Sequence, residues 1–266
     1  MSTDLDRIIS LSRTLGAPGR DLVILAEGNT SVRTGADRML VKASGAHLAT
    51  AGPDDFVEVG LAEMVALLDN PDTDQQSIAD VFNRVGVATG RRPSVEAMLH
   101  AICLQEGGAS VVGHTHPVPV NALLCSEHAE TLASVIVYPE QIVILGRKAM
   151  LIPYVDPGLL LARLVRDRLR QHIAAEGAPP KVIYLANHGM FALGATTAEV
   201  LRITEMAVKV SRIMQAGLAV GALSPLTEHD SDRIDEREDE QHRRAVLDRA
   251  EHLPARAAHL PARDVS

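Results

Sequence analysis

The sequence predicts an α/β fold. Short apolar runs rich in Val, Ile and Leu alternate with longer stretches of helical periodicity, and turns rich in Gly, Pro and Asn punctuate the junctions. The third observation is Val111-Val112-Gly113-His114-Thr115-His116-Pro117, an apolar lead into two histidines. On an extended strand alternate side chains share a face, so His114 and His116 aim two imidazoles at one point. Such a pair packs poorly in a core but suits a divalent metal, which needs at least one more ligand.

A chain of 266 residues fits one large domain or two small ones, and a hydrophobic share of 46% is enough for a core. With three Phe, three Tyr and no Trp, that core rests on Leu, Val, Ile, Ala and Met. The net charge of −8 argues against nucleic acid as the main partner. Cys103 and Cys125 lie in apolar, helical surroundings and read as buried thiols of a reduced compartment. Met1 to Ser10 carries acids and no apolar core, unlike a signal peptide. No apolar run reaches the ~20 residues that span a bilayer. The expectation is a cytoplasmic protein with no membrane partner.

In chain order, Leu5, Ile8, Ile9, Leu11, Ser12 and Leu15 give a helical stripe that ends at Gly16. Asp21 to Leu25 reads as a strand or a short lead-in to Glu27-Gly28-Asn29-Thr30-Ser31. Strands at Val32-Arg33 and Arg38 to Lys42 make a hairpin-like unit, closed by Ala43-Ser44-Gly45. Gly-Asn and Ser-Gly turns are mostly just turns. Two at opposite ends of one hairpin can gather backbone N–H groups and hydroxyls into an anion-binding nest. Lys42 can add a charge there, although an edge-strand lysine is more often solvated.

Val57 to Leu68 reads as a strand then a short helix, and Asn70 to Asp74 as a polar loop. Gln76 to Thr89 is helical, with Ile78, Val81, Phe82 and Val85 on one face. Pro93-Ser94-Val95-Glu96 opens the next helix, with Ser94 as N-cap and Glu96 in the first turn, where the helix dipole favours an acid. Glu96 and His100 lie four apart on one helix face, just before the His-Thr-His strand. The short Glu106-Gly107-Gly108-Ala109 turn makes helix and strand neighbours. Pro117 to Cys125 reads as a short helix. Ser134 to Pro139 and Ile142 to Gly146 have strand character, as does Met150 to Tyr154, and a helix runs from Leu159 to about His172.

Val182 to Ala186 is a buried strand that runs into Asn187-His188-Gly189, and Met190 to Gly194 resumes as a strand. An unpartnered imidazole between two apolar strands is costly, which makes His188 the third candidate ligand. Thr196 or Thr197 caps a long helix to about Gln215. Thr227 to Arg249 is dense in charge and reads as a solvated helix. The tail from Glu251 to Ser266 repeats Leu-Pro-Ala-Arg and reads as a loose terminus or an arm on a neighbouring subunit. The expected division is a main domain over 1–225 and a charged segment over 226–266.

The ordered set Gly28-Asn29-Thr30-Ser31, Ala43-Ser44-Gly45, Pro93-Ser94-Val95-Glu96 with His100, His114-Thr115-His116 and Asn187-His188-Gly189 resembles the class II aldolase/adducin family. The likeness covers about residues 5–220. It implies a three-layer α/β/α domain around a central, largely antiparallel sheet. It implies a homotetramer with active sites at subunit boundaries, acting on a small-molecule substrate. By the same resemblance, His114, His116 and His188 hold Zn²⁺, or Mn²⁺ or Co²⁺, and Glu96 is the catalytic carboxylate. Gly28, Asn29, Ser44, Gly45 and Ser94 match substrate-phosphate positions. Tyr138, from the adjacent subunit, matches the proton donor of the sugar-phosphate aldolases.

The chemistry is consistent with that assignment. Carbon–carbon cleavage beside a ketone generates an enediolate. Three neutral histidines leave the full double positive charge and open positions on a cation, and a nearby carboxylate moves the carbon-bound proton. The implied activity is a metal-dependent aldolase cleaving a sugar phosphate or a related hydroxy-keto compound. Two features depart from the sugar-phosphate pattern: Val95 replaces a frequent second serine, and no tyrosine follows Tyr184. Two alternatives accompany this reading. One is a sugar-phosphate 4-epimerase, whose relatives tend to carry Asp at the position of Glu96. The other is a non-catalytic adducin-like domain, in which the metal histidines are lost.

Overall fold

Seven strands build one sheet, and the turns that separate them are the polar, glycine-bearing stretches of the sequence. The computed structural model describes residues 3–239 and 246. The strands are β1 (Asn29–Arg33), β2 (Arg38–Lys42), β3 (Phe56–Gly60), β4 (Val111–Thr115), β5 (Met150–Ile152), β6 (Val182–Leu185) and β7 (Gly189–Gly194). Their spatial order is β3-β2-β1-β4-β7-β6-β5. Every pairing is antiparallel except β5 with β6. The middle strand, β4, carries His114, and its register sets Asn29 opposite His114 on one side and Phe191 opposite it on the other.

Strand alternation divides the apolar residues between two cores, one on each face of the sheet. Val112, Ile183, Leu185, Phe191 and Leu193 face helices α2 (Leu61–Asp69), α3 (Gln75–Thr89), α4 (Ala97–Gln105) and α8 (Leu159–Glu176). Val111, Val182, Tyr184, Met190 and Ala192 face α1 (Asp4–Leu15), α5 (Val118–Leu124), α6 (Ala129–Ser134), α7 (Pro139–Leu145) and α9 (Thr197–Val220). The result is the expected three-layer α/β/α arrangement. Helix α4 has no polar face because it lies between the sheet and the helices α2 and α8. Every residue from Ala97 to Leu104 is buried.

The helix ends follow local chemistry. Thr3 and Asp6 form a capping box at the start of α1, Asp74 caps α3, and Thr196 caps α9 through the Glu199 N–H. Gly177, at φ 73°, closes α8 four residues beyond the expected end at His172.

Several expectations need correction. Ser134 to Gly146 is not a pair of strands. Helix α6 ends at Ser134, Val135 to Val137 is irregular, and Pro139 opens α7, which runs to Leu145. Periodicity cannot decide a four-residue run such as Ile142-Val143-Ile144-Leu145, whereas Pro at the first helical position and Gly146 at φ 78° fit a short helix. Asp21 to Leu25 is a lead-in without strand pairing, with Asp21 and Leu25 in the left-handed region at φ 55° and 51°. Helix α4 begins at Ala97, so Glu96 rather than Ser94 holds the cap position. Cys103 is buried, but Cys125 is exposed at the end of α5. Lys42 is not solvated: it is 2% exposed.

The start of the charged C-terminal segment is ordered. Helix α10 (Glu228–Asp235) packs on α7 through buried Ile234, and Arg147 pairs with Asp232. The Leu-Pro-Ala-Arg repeats lie outside the described residues. Among the described residues no helix is long and apolar enough to cross a membrane.

Candidate metal centre and active site

The two histidines of the middle strand emerge on one face, as alternation requires. His114 is fully buried and stacks on Phe191 at 4.2 Å between ring centroids. His116 continues the strand edge, its N–H donating to the Leu22 carbonyl (2.9 Å). His188 sits in the three-residue turn between β6 and β7. Asn187 takes a left-handed φ of 55° there, which asparagine tolerates. The Asn187 N–H donates to the Leu124 carbonyl, and Asn121 Nδ2 donates to the His188 carbonyl (2.9 Å), so α5 fixes the turn. The His188 ring lies 5.1 Å from the rings of both His114 and His116. One ligand nitrogen from each of the three lies within 4.8 Å of the other two.

The tautomers fit a cation. His114 Nδ1 faces the Met190 carbonyl at 3.0 Å, so that nitrogen carries the proton and Nε2 keeps its lone pair. His116 Nδ1 lies 3.5 Å from Glu27 Oε2, the carboxylate–histidine arrangement that directs the other ring nitrogen to a metal. The two Nε2 atoms then face each other at 2.9 Å. At that distance one can donate to the other when it is protonated, and two lone pairs would converge on one cation. Burial, then the neighbouring His114 and His188, push His116 down to about 3, so it remains neutral.

Glu96 lies against this cluster from the other side of the site. Its Oε2 is 3.1 Å from His114 Nε2, and its Oε1 is 3.0 Å from His188 Nε2. The latter approach lacks hydrogen-bond geometry, so Oε1 is a buried oxygen without a bonded partner. Burial alone would raise this carboxyl; the positive charge that His114 and His188 carry when the nitrogens facing it are protonated holds it well below the usual range, and it is ionised at neutral pH.

A relay behind Glu96 orients the carboxylate. Ser31 Oγ donates to His100 Nδ1 (2.7 Å), His100 Nε2 donates to Asn29 Oδ1, and Asn29 Nδ2 donates to Glu96 Oε2 (2.8 Å) and Ser94 Oγ (3.0 Å). The relay needs a neutral His100, and burial pushes that imidazole down to about 3. The i, i+4 spacing of Glu96 and His100 therefore works through Asn29 rather than by direct contact.

The expected anion-binding residues adjoin this relay. Gly28 takes φ 66°, and a Cβ there would lie 2.8 Å from the His114 carbonyl, so only glycine fits. The Ser44 N–H donates to the Arg92 carbonyl, and the Ser94 N–H to the Lys42 carbonyl, which draws the Ser44-Gly45 turn and Ser94 together. The Asn29 amide is spent inside the chain, so it positions Glu96 rather than reaching outward. Tyr138 stands elsewhere: its hydroxyl donates to Met206 Sδ (2.6 Å), and burial pushes it up to about 12. Among the described residues it touches neither Glu96 nor the three histidines. Glu27, which the sequence left without a role, lines the cavity over the histidines with His116, Asn121, Cys125 and His188. That cavity measures about 540 Å³. Its signal was the position next to Gly28-Asn29.

The fold is that of the class II aldolases. Residues 6–215 match the class II aldolase and adducin N-terminal domain, and the chain belongs to that family. It is similar to the class II aldolase domain of a conserved Thermoplasma acidophilum protein, at 24% identity and TM-score 0.64 over 81% of this chain and 95% of that one. It also resembles an L-fuculose 1-phosphate aldolase, at 18% identity and TM-score 0.65 over 89% of this chain and 97% of that one. The L-fuculose-1-phosphate aldolase of Thermus thermophilus matches at 20% identity and TM-score 0.57, over 81% and 98%. At these identities the likeness is one of fold. A curated Bacillus subtilis (strain 168) relative, named uncharacterized oxidoreductase YuxG, is 25% identical over 179 residues, 64% of this chain. The match spans about a quarter (24%) of that protein's length.

Proposed function

We propose that this chain is a metal-dependent aldolase, a carbon–carbon lyase that cleaves a hydroxy-ketone, either a sugar phosphate or a related hydroxy-keto compound. The observation that carries the proposal is the buried, ionised Glu96. One oxygen is fixed by Asn29, and the other has no hydrogen-bond partner and lies 3.0 Å from His188 Nε2, beside the cluster of three imidazoles. His114, His116 and His188 would hold the cation, Zn²⁺ or another divalent ion such as Mn²⁺ or Co²⁺. When bound, it supplies Lewis-acid stabilisation of negative charge on a substrate oxygen.

This chain's own residues do the rest. Oε1 of Glu96 takes or returns the carbon-bound proton, while the Ser31–His100–Asn29 relay keeps the carboxylate in place. The Gly28, Ser44-Gly45 and Ser94 segments receive the substrate's anionic end. Tyr138 of an adjacent subunit in a homotetramer exchanges the proton of the carbinol oxygen: the proton leaves that oxygen as the carbon–carbon bond breaks and the carbonyl forms, and the phenol, which its high titration point keeps protonated, returns one to the carbonyl oxygen in the condensation direction. The class II aldolase-like domain spans 1–225, and a charged segment follows over 226–266. The setting is cytoplasmic.

The test is a screen of metal-loaded protein against phosphorylated and non-phosphorylated ketoses and hydroxy-keto acids. Two carbonyl fragments from one substrate support the lyase. A single isomeric product supports a 4-epimerase instead, and metal-loaded protein inert to the whole set supports a non-catalytic domain.

A further inference from the structure

A second cavity, of about 250 Å³, lies between α3, the start of α4 and the start of α8. It shares no lining residue with the cavity over the three histidines, and the lyase chemistry gives it no task. Its wall is apolar. Ile78, Phe82, Met98, Leu99 and Leu161, each buried, border it, and Val95, 66% exposed, stands at its mouth. Glu96 borders it as well, but the Glu96 carboxylate is directed away, to His114 and His188. Packed interiors hold few voids larger than a water molecule, so a space of this size among apolar side chains is not packing slack.

One unpaired charge serves this cavity. Arg92 lines it, and among the described residues its guanidinium has no acid or carbonyl partner, whereas the adjacent Arg91 pairs with Asp55. The stem of Arg92 is seated on α3 over Gly86, where an added Cβ would come within 2.9 Å of Arg92 Cγ. Ile78, Phe82 and Gly86 follow one another at four-residue spacing, so the stem continues the apolar row that walls the cavity. A glycine inside a helix costs stability, and here it makes the seat for that arginine. At the other end of the row, Gln75 gives its side-chain carbonyl to the Leu159 N–H (3.1 Å) and closes the cavity against Gly158. The cavity is thus charged at one end and apolar along its length.

We propose that this cavity is a second ligand site, for a small carboxylic acid with an apolar body, a single ring or a branched chain. The carboxylate pairs with Arg92 at the mouth, in the fork geometry by which a guanidinium takes two carboxylate oxygens. The body lies against Phe82, Leu99 and Leu161. The volume sets the size, since sites for drug-sized ligands run from about 300 to 1,000 Å³. The occupant is distinct from the substrate of the proposed cleavage, and it touches the segment that carries Glu96 through Val95. Its binding requires neither metal nor turnover, so it stands or falls apart from the lyase chemistry.

Phenylacetate, its neutral amide and acetate are titrated by calorimetry into the full chain, stripped of metal and again loaded with zinc. Phenylacetate binds once per chain, equally in both forms. The amide, which has the ring without the charge, binds at least about tenfold more weakly, the loss of one charge-assisted contact. Acetate, which has the charge without the ring, shows no saturable binding at the same concentrations. Arg92→Gln lowers phenylacetate affinity about tenfold and leaves the amide unchanged. Ala79→Leu, which puts a larger side chain into the cavity from α3, abolishes both. The comparison of the three ligands on the unsubstituted chain decides the matter even if a variant fails to fold. Binding that appears only with zinc, no preference for the acid over the amide, or acetate binding as tightly as phenylacetate overturns the proposal. So does undiminished phenylacetate binding in either variant, or no saturable binding of phenylacetate up to about 10 mM.

Discussion

At the scale of single residues, the site is a problem of proton placement. Three of its four rings have a neighbour beside one nitrogen that bears on the tautomer: His114 the Met190 carbonyl, His116 the Glu27 carboxylate, and His100 the Ser31–Asn29 pair. Among the described residues Glu96 is the one carboxylate at the site with a buried oxygen that has no hydrogen-bond partner, and as a base it is the group proposed to exchange a proton. Glu96→Gln keeps the shape and the Asn29 contact but cannot accept a proton. It is expected to lower kcat by about 10²- to 10⁴-fold while zinc content per chain is unchanged. Full activity in that variant would remove Glu96 from the chemistry.

The three histidines and Glu96 were legible as residue types at telling spacings. Asn29 was legible only as an anion binder, because its bond to Glu96 crosses 67 positions of sequence that no local pattern reports. Lys42 was misread for a related reason. An edge-strand lysine is normally wet, and only the folded turns at Ala26 and Ala46 provide buried carbonyls to hold it.

At the scale of elements, the β6–β7 hairpin and β4 must approach very closely. A Cβ on Gly189 would stand 2.5 Å from His116 Cδ2 and 2.7 Å from the Thr115 carbonyl. The His-Thr-His strand therefore sits at its proper distance from His188 only because position 189 lacks a side chain. Gly189→Ala is expected to displace the His116 ring. It should weaken zinc binding about 10- to 100-fold, as losses around a metal ligand do, and cost roughly 1–3 kcal/mol of stability. Isothermal titration and chemical denaturation would read the two effects. An unchanged zinc affinity would mean that His116 is not a ligand.

The hairpin itself was legible because two strongly apolar runs flank a turn-forming Asn-His-Gly. The stretch from Ser134 to Gly146 was not. There a short β-branched run lies between a proline and a glycine, and the contacts of α7 with α9 and α10, far apart in sequence, decide for helix.

At the scale of the whole molecule, one middle strand organises both layers. Its odd and even residues supply two separate cores, and its C-terminal edge supplies two of the three converging imidazoles. The alternation of strands and helices predicts the α/β class, while the three-layer, largely antiparallel order rested on the resemblance to a known family. The single parallel pair of β5 with β6 has no signature in the residues themselves. Tyr138 donates to Met206 of α9 in its own chain, so the role proposed for it requires a second copy to bring it to the site.

What the whole fold must accomplish is to bring together residues 114, 116 and 188, which are separated by up to 74 positions. Metal analysis with X-ray absorption on the purified chain tests this most directly. One zinc per chain, bound through three imidazole nitrogens at about 2.0–2.1 Å and lost on His188→Ala, is the expected result. A chain that takes up no divalent metal after reconstitution, or a His188→Ala variant that keeps it undiminished, would contradict the account.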